Sequence, residues 1–110
     1  MELVENWIAG GTQIDAIICH NDIMAMGALQ ACQDAGLEIP IIGIDATYDA
    51  LCAVKDGTLA ADVDQDVYGQ AEEAFNVCMR ILNGETFEQT TYVPFKLITK
   101  DNVDEYLANF

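Results

Sequence analysis

The stretch IDAIICHND, residues 14–22, sets an apolar run against an abrupt polar ending of His20, Asn21 and Asp22, and IMAMGALQA follows at once. A short run that is apolar almost throughout, rather than alternating, is the pattern of a parallel strand covered on both faces. The residues that follow carry a helical pattern over 22–35. The stretch therefore reads as a strand, Ile14 to Cys19, that turns directly into a helix through a hydrogen-bonding cluster.

The same unit recurs along the chain. IPIIGID (39–45) leads into a helical pattern over 48–56, and the shorter, mixed run TLAADV (58–63) leads into one over 67–83. Gly36, Gly57 and Gly84 stand where helix C-caps belong. Asp22 or Asn21 suits the N-cap of the first of these helices and Thr47 that of the second. On the third, Ala71, Ala74, Phe75, Cys78, Met79 and Leu82 form a stripe at helical spacing. MELVENWIAGG opens the chain as an amphipathic helix with Leu3, Val4, Trp7 and Ile8 on one side. TTYVPFKLIT (90–99) alternates like a half-exposed strand, with Pro94 pointing to an edge or a bend. A short helix from about Asp101 to Leu107 closes the order αβαβαβαβα. That order predicts an α/β domain with a mainly parallel sheet flanked by helices and right-handed crossovers.

At 110 residues the chain is read as a single domain, with the 52% hydrophobic and 21% charged content of a globular protein. Nineteen acidic residues against four basic ones give a formal charge of −15, which repels phosphate backbones and anionic headgroups. Nucleic acid and membrane surfaces are therefore poor partners. No apolar run reaches the roughly 18 residues of a membrane helix, so no direct membrane insertion is expected. No basic n-region precedes an apolar h-region, so no export signal is read in this chain. The cysteines at 19, 32, 52 and 78 lack metal-ligand spacing and lie on apolar faces, where buried free thiols are expected.

In an open α/β sheet, ligands bind outside the carboxyl ends of the strands. Those ends carry His20-Asn21-Asp22, then Asp45, then Asp64-Gln65-Asp66. An amide, a carboxylate and a second amide on one rim both donate and accept hydrogen bonds. This suits an uncharged ligand dense in hydroxyl groups, a sugar or cyclitol. A phosphate would want basic groups or a glycine-rich loop, and Gly10-Gly11-Thr12 precedes a strand instead of following one.

Each of these residues also has a structural reading. Asp22 is first of all a helix cap. Asn21 and Asp45 stand, on spacing alone, between structural and ligand roles. Asp64 and Asp66 read as solvated turn residues, and His20 as a structural or rim residue rather than a metal ligand or base. Tyr48 and Trp7 offer aromatic faces, with core or surface packing the default. DVDQDVYGQAEE (62–73) imitates a calcium loop through Asp62, Asp64, Asp66 and Glu73, but Val67 replaces the required glycine and no helix precedes it. No metal site follows. The only histidine has no identifiable nucleophile partner, so the chain is read as a non-enzyme without cofactors. A phosphoacceptor receiver domain would need an early acidic pair, and only Asp45 with Lys96 or Lys100 matches its other parts.

Taken together, IDAIICHNDIMAMGALQACQDAG and PIIGIDATYDALCAVKDGTLAADVDQD resemble the ribose-binding type of periplasmic sugar-binding proteins of ABC transporters. That family shares its fold with the effector domains of lactose-repressor-type regulators. The pattern covers residues 14 to about 66, and YVPFKLITKDNVDEY extends it. The resemblance implies a type 1 periplasmic binding protein lobe that binds a monosaccharide or cyclitol. It places Asn21 and Asp45 at sugar-hydroxyl contacts and Gln65 at a further contact, with His20 as a departure bearing on ligand preference. It implies a periplasmic setting and ABC transporter membrane subunits as partners. AVKDGTLAA and the glutamine after it favour transport over the alternative, the effector-binding lobe of a transcriptional regulator.

By the same resemblance, residues 1–110 correspond to part of the carboxyl-terminal lobe, a truncated form of the two-lobed family architecture. The helix at 67–83 corresponds to one that packs on the other lobe. Three expectations follow: an unpaired apolar edge at 14–19, a homodimer or an exchange of elements between copies, and weakened sugar affinity.

Overall fold

The computed structural model describes all 110 residues. Its elements are α1 (Glu2–Ala9), β1 (Ile17–Ile18), α2 (Asp22–Asp34), β2 (Ile41–Ile42), α3 (Tyr48–Asp56), β3 (Asp62–Asp64), α4 (Val67–Leu82), β4 (Lys96–Ile98) and α5 (Val103–Leu107). The predicted order of nine elements is the observed one. The strands are shorter than their apolar runs, because a strand extends only as far as a neighbour answers its backbone.

β1 pairs in parallel with β2, Ile17 against Ile41 and Ile18 against Ile42. β2 continues into β3 through a parallel bridge between Ile42 and Ala61, with Ala60 N–H donating to Ile41 O at 2.9 Å and Asp45 N–H to Val63 O at 2.9 Å. β4 then runs antiparallel to β3, Asp62 opposite Ile98 and Asp64 opposite Lys96. The spatial order is thus β1-β2-β3-β4, parallel except at its last pair. The alternating run at 90–99 contributes only its final residues, since Pro94 has no N–H to give a ladder.

The core lies between this sheet and helices α1, α2, α3 and α5. It is built from Val4, Ile17, Cys19, Ala25, Ala28, Leu29, Ile41, Leu51, Val54, Leu59, Ile98 and Val103 with their neighbours. Small residues on α2 (Ala25, Ala28, Ala31, Cys32) let the helix sit close over the sheet. α3 ends at Gly57, whose φ of 85° suits a residue without Cβ.

β1 has no neighbour on its far side, and Ile18 is 76% exposed there. No residue of α4 is buried, although its stripe includes Phe75, Met79 and Leu82. The radius of gyration is 18.0 Å, against about 13 Å for a compact chain of this size. α4 and the returning segment to residue 95 form an arm beside the body, lining a cleft of about 570 Å³ with Ala74, Val77, Tyr92 and Phe95.

Two expectations need correction. Cys78 on α4 is exposed and Cys52 half-buried, so only Cys19 and Cys32 are buried thiols. On α1 the apolar side is only partly used. Val4 is buried and Ile8 packs against the core, but Leu3 and Trp7 remain open because α1 meets α2 along one narrow line.

Candidate functional site

The carboxyl ends of β1, β2 and β3 carry the groups that the sequence singled out. At the end of β1, the Asn21 backbone is extended and its Oδ1 accepts the Met24 N–H at 2.9 Å. Asn21, not Asp22, is therefore the N-cap of α2. The amide Nδ2 donates to no atom of the chain and is left for another acceptor. His20 beside it is exposed.

Asp22 lies inside the first turn of α2 and is 1% exposed. Its Oδ2 accepts the Thr47 N–H and the Thr47 hydroxyl, each at 2.8 Å. The two residues predicted as caps of successive helices thus bind one another across 25 positions. Thr47 still occupies the N-cap position of α3, but its hydroxyl serves Asp22 instead of the helix. Gly43 makes room for this contact, since a methyl there would overlap Asp22 Oδ1.

Asp45 follows β2 in a turn of unusual backbone, with φ of 124° at Asp45 and 54° at Ala46. The turn aims an exposed carboxylate outward, and Gln65 Nε2 donates to its Oδ1 at 2.6 Å. Gln70 Nε2 in turn donates to Gln65 O at 2.6 Å, fixing the Gln65 backbone. The structure brings Asp45 and Gln65 together at the mouths of adjacent strands, with Asn21 at the next strand end and tied in through Asp22 and Thr47.

Asp64 and Asp66 do more than line a solvated turn. Asp64 Oδ1 accepts the Asp66 N–H at 2.8 Å, and Asp66, at φ 51°, caps α4 through Gly69 N–H at 3.1 Å. Lys96 Nζ sits 3.0 Å from Asp66 Oδ2, and this ion pair with the cap holds the Asp66 carboxyl below its ordinary value. A cleft of about 660 Å³ lies on this side, lined by Asp45, Asp64, Asp66, Tyr68, Lys96 and Tyr106 among others. Asn21 and His20 line neither this cleft nor that of the arm. Tyr48 is engaged by Phe110, ring centroids 5.6 Å apart in an edge-on arrangement, and Trp7 lies on α1.

Sequence reading missed Asp62. It appeared there only as the first position of the rejected calcium loop, yet it is 0% exposed at the start of β3. A charged residue directly after the apolar LAA, within the short, mixed run read as a strand, was the available signal.

The rim can exchange hydrogen bonds with a polyhydroxylated ligand through two amides and a carboxylate. It offers no cation at its centre, because Lys96 is paired with Asp66.

Residues 2–86 match the family described as periplasmic binding protein domain. A protein named as rhizopine-binding from Rhizobium meliloti is 41% identical over 108 residues, covering 96% of this chain and 35% of that protein. The ribose import binding protein of Bacillus subtilis is 37% identical over 100 residues, covering 91% of this chain and 33% of its own length. Among solved structures, an ABC transporter solute-binding protein from Bacillus halodurans with bound myo-inositol superposes with a TM-score of 0.84 at 41% identity, over 99% of this chain and 38% of that one. The Caulobacter myo-inositol binding protein bound to myo-inositol gives 0.83 at 30% identity, over 99% and 39%. The chain spans about a third of the length of the curated relatives it matches.

Proposed function

The chain belongs to the periplasmic binding protein domain family, and from that premise we propose that it is a solute-binding module of a sugar ABC transporter. Its ligand is an uncharged monosaccharide or cyclitol, held at the strand ends by Asn21, Asp45 and Gln65, with His20 on the rim. The observation that carries this reading is the 2.6 Å bond from Gln65 Nε2 to Asp45 Oδ1. It fixes a carboxylate whose remaining lone pairs face outward, where vicinal hydroxyls can donate to them. Asn21 Nδ2 supplies a donor at the neighbouring strand end. The relatives named for ribose, rhizopine and myo-inositol support hydroxyl-rich solutes, and being binding proteins they support a role without catalysis. The regulator reading gains nothing from these relatives.

The module acts in the periplasm and delivers its solute to transporter membrane subunits. With protein on one side of the rim, binding is weak, because much of the ligand keeps its water. The 110-residue chain also self-associates, a second copy covering the α4 stripe or the β1 edge. Calorimetric titration with myo-inositol and D-ribose, with an anionic sugar phosphate as control, tests the ligand claim. Saturable binding of a neutral polyol, lost in Asp45→Ala, supports it; binding of the phosphate alone overturns it.

A further inference from the structure

Asp22 and Asp62 are the two buried polar side chains of the protein, 1% and 0% exposed. Each has one satisfied and one orphaned oxygen. Asp22 Oδ2 is taken by Thr47, while Asp62 Oδ1 accepts the Val63 N–H at 2.6 Å. The orphans, Asp22 Oδ1 and Asp62 Oδ2, are the only buried side-chain polar atoms without a partner, and the two carboxyl groups lie within hydrogen-bonding reach of one another.

Two ionised carboxylates would leave a pair of like charges in a dry space, which is strongly unfavourable. No cation relieves them. Across the ladder from Asp62 stands apolar Ile98, and Lys96 on the same strand is paired with Asp66. α3 turns Ala50, Leu51, Ala53 and Val54 inward, and its Tyr48, Asp49, Lys55 and Asp56 are exposed. α5 buries Val103 and exposes Asp104 and Glu105, while His20, ahead of α2, is exposed. A single proton between the carboxyls converts both orphans into one charge-assisted O–H···O bond.

We propose that Asp22 and Asp62 share one proton, and that this protonated pair is the positioning device that holds the Asp45 turn. Two backbone N–H groups pin that turn. Asp45 donates to Val63 O at 2.9 Å and Thr47 to Asp22 at 2.8 Å. The left-handed backbone of Asp45 and Ala46 is unfavourable for residues with a Cβ and persists because these bonds over-determine it. When the shared proton leaves to solvent, repulsion between the two carboxylates pulls on the Thr47 pin. Burial first, and then the Asp22 charge, raises the Asp62 carboxyl from 3.8 to about 7, so the proton is held across the acidic range.

The sign follows from linkage. A carboxyl raised on folding gives the folded state the extra proton between 3.8 and about 7, so stability falls as pH rises through that window and then levels. The consequence for the ligand rests on the proposed solute site; the shared proton does not.

Carbon NMR of the aspartate carboxyls in the wild-type chain tests it, alongside urea denaturation of wild type and Asp62→Asn across the same pH range. The expected result is an Asp62 carboxyl titrating near 7, with Asp22, Ala46 and Thr47 resonances shifting in step. In Asp62→Asn, whose amide donates permanently to Asp22, the pH slope of stability between 4 and 7 should flatten. An Asp62 carboxyl titrating in the ordinary range of the folded wild type overturns the proposal, as does an unchanged slope in Asp62→Asn. Neither readout depends on ligand, so a failure of sugar binding leaves this test intact.

Discussion

Gln65 Nε2 donates to Asp45 Oδ1 at 2.6 Å, joining the mouths of two adjacent strands across 20 positions of sequence. Replacing the amide with a second carboxylate turns that attraction into repulsion. Gln65→Glu is expected to weaken polyol binding about tenfold or more, equivalent to roughly 1.4 kcal/mol. Calorimetry reads the loss. The thermal midpoint should hardly move, because the Asp45 carboxylate is exposed and can turn to water.

Asn21 caps α2 and is proposed to donate to the ligand, two roles that substitution can separate. Its Oδ1 caps α2 through Met24, and its Nδ2 remains free for a ligand. Asn21→Asp should keep the cap and lose the donor, leaving stability near wild type while polyol affinity falls. Asn21→Ala should lose both, costing about 1 kcal/mol of stability as well. Urea denaturation paired with calorimetry distinguishes these patterns, and an Asn21→Asp variant with undiminished affinity would remove the amide from the proposed site.

Thr47 satisfies a buried carboxylate through two donors, only one of which belongs to its side chain. Thr47→Val is near-isosteric and removes the hydroxyl alone. It should cost about 1–3 kcal/mol in chemical denaturation, the range for stripping a donor from a buried polar group. Thr47→Ser should restore most of that loss.

The arm predicts association behaviour. Phe75 is 64% and Leu82 79% exposed on α4, while the net charge of −15 opposes close approach of two copies. Self-association in analytical ultracentrifugation should therefore strengthen with added salt, which screens that charge. Phe75→Lys combined with Leu82→Lys should abolish association through α4, with a stability change within about 0.5 kcal/mol for surface sites. A monomer at high micromolar concentration in high salt would contradict self-association.

The sequence told much about the fold because its strongest signals are local. α3 occupies the residues its pattern predicted, and α2 differs by one residue at its end. The motifs across 14–66 pointed to the family that the match over residues 2–86 now shows. Strand extents were less legible because they depend on partners distant in sequence, as with Ile42 and Ala61. The open edge of β1 followed from the family resemblance, and β1 pairs on one side only. At the rim, Asn21, Asp45 and Gln65 could be placed at strand ends by counting. The interplay of Asp22, Thr47 and Asp62 could not. Local rules assign a cap to each of the first two, whereas their bonds run between elements and become visible only when α2, β3 and the β2–α3 turn are in place.

Amide-resonance mapping by NMR tests the central claim most directly, with the wild-type chain titrated by myo-inositol and D-ribose. A neutral polyol bound at the strand ends should shift His20, Asn21, Asp45, Ala46 and Gln65 together, in a saturable and weak-affinity manner. Residues of the α4 stripe should stay unmoved. Shifts confined to the arm, or none at the rim at millimolar polyol, would contradict the assignment of a sugar site to these residues.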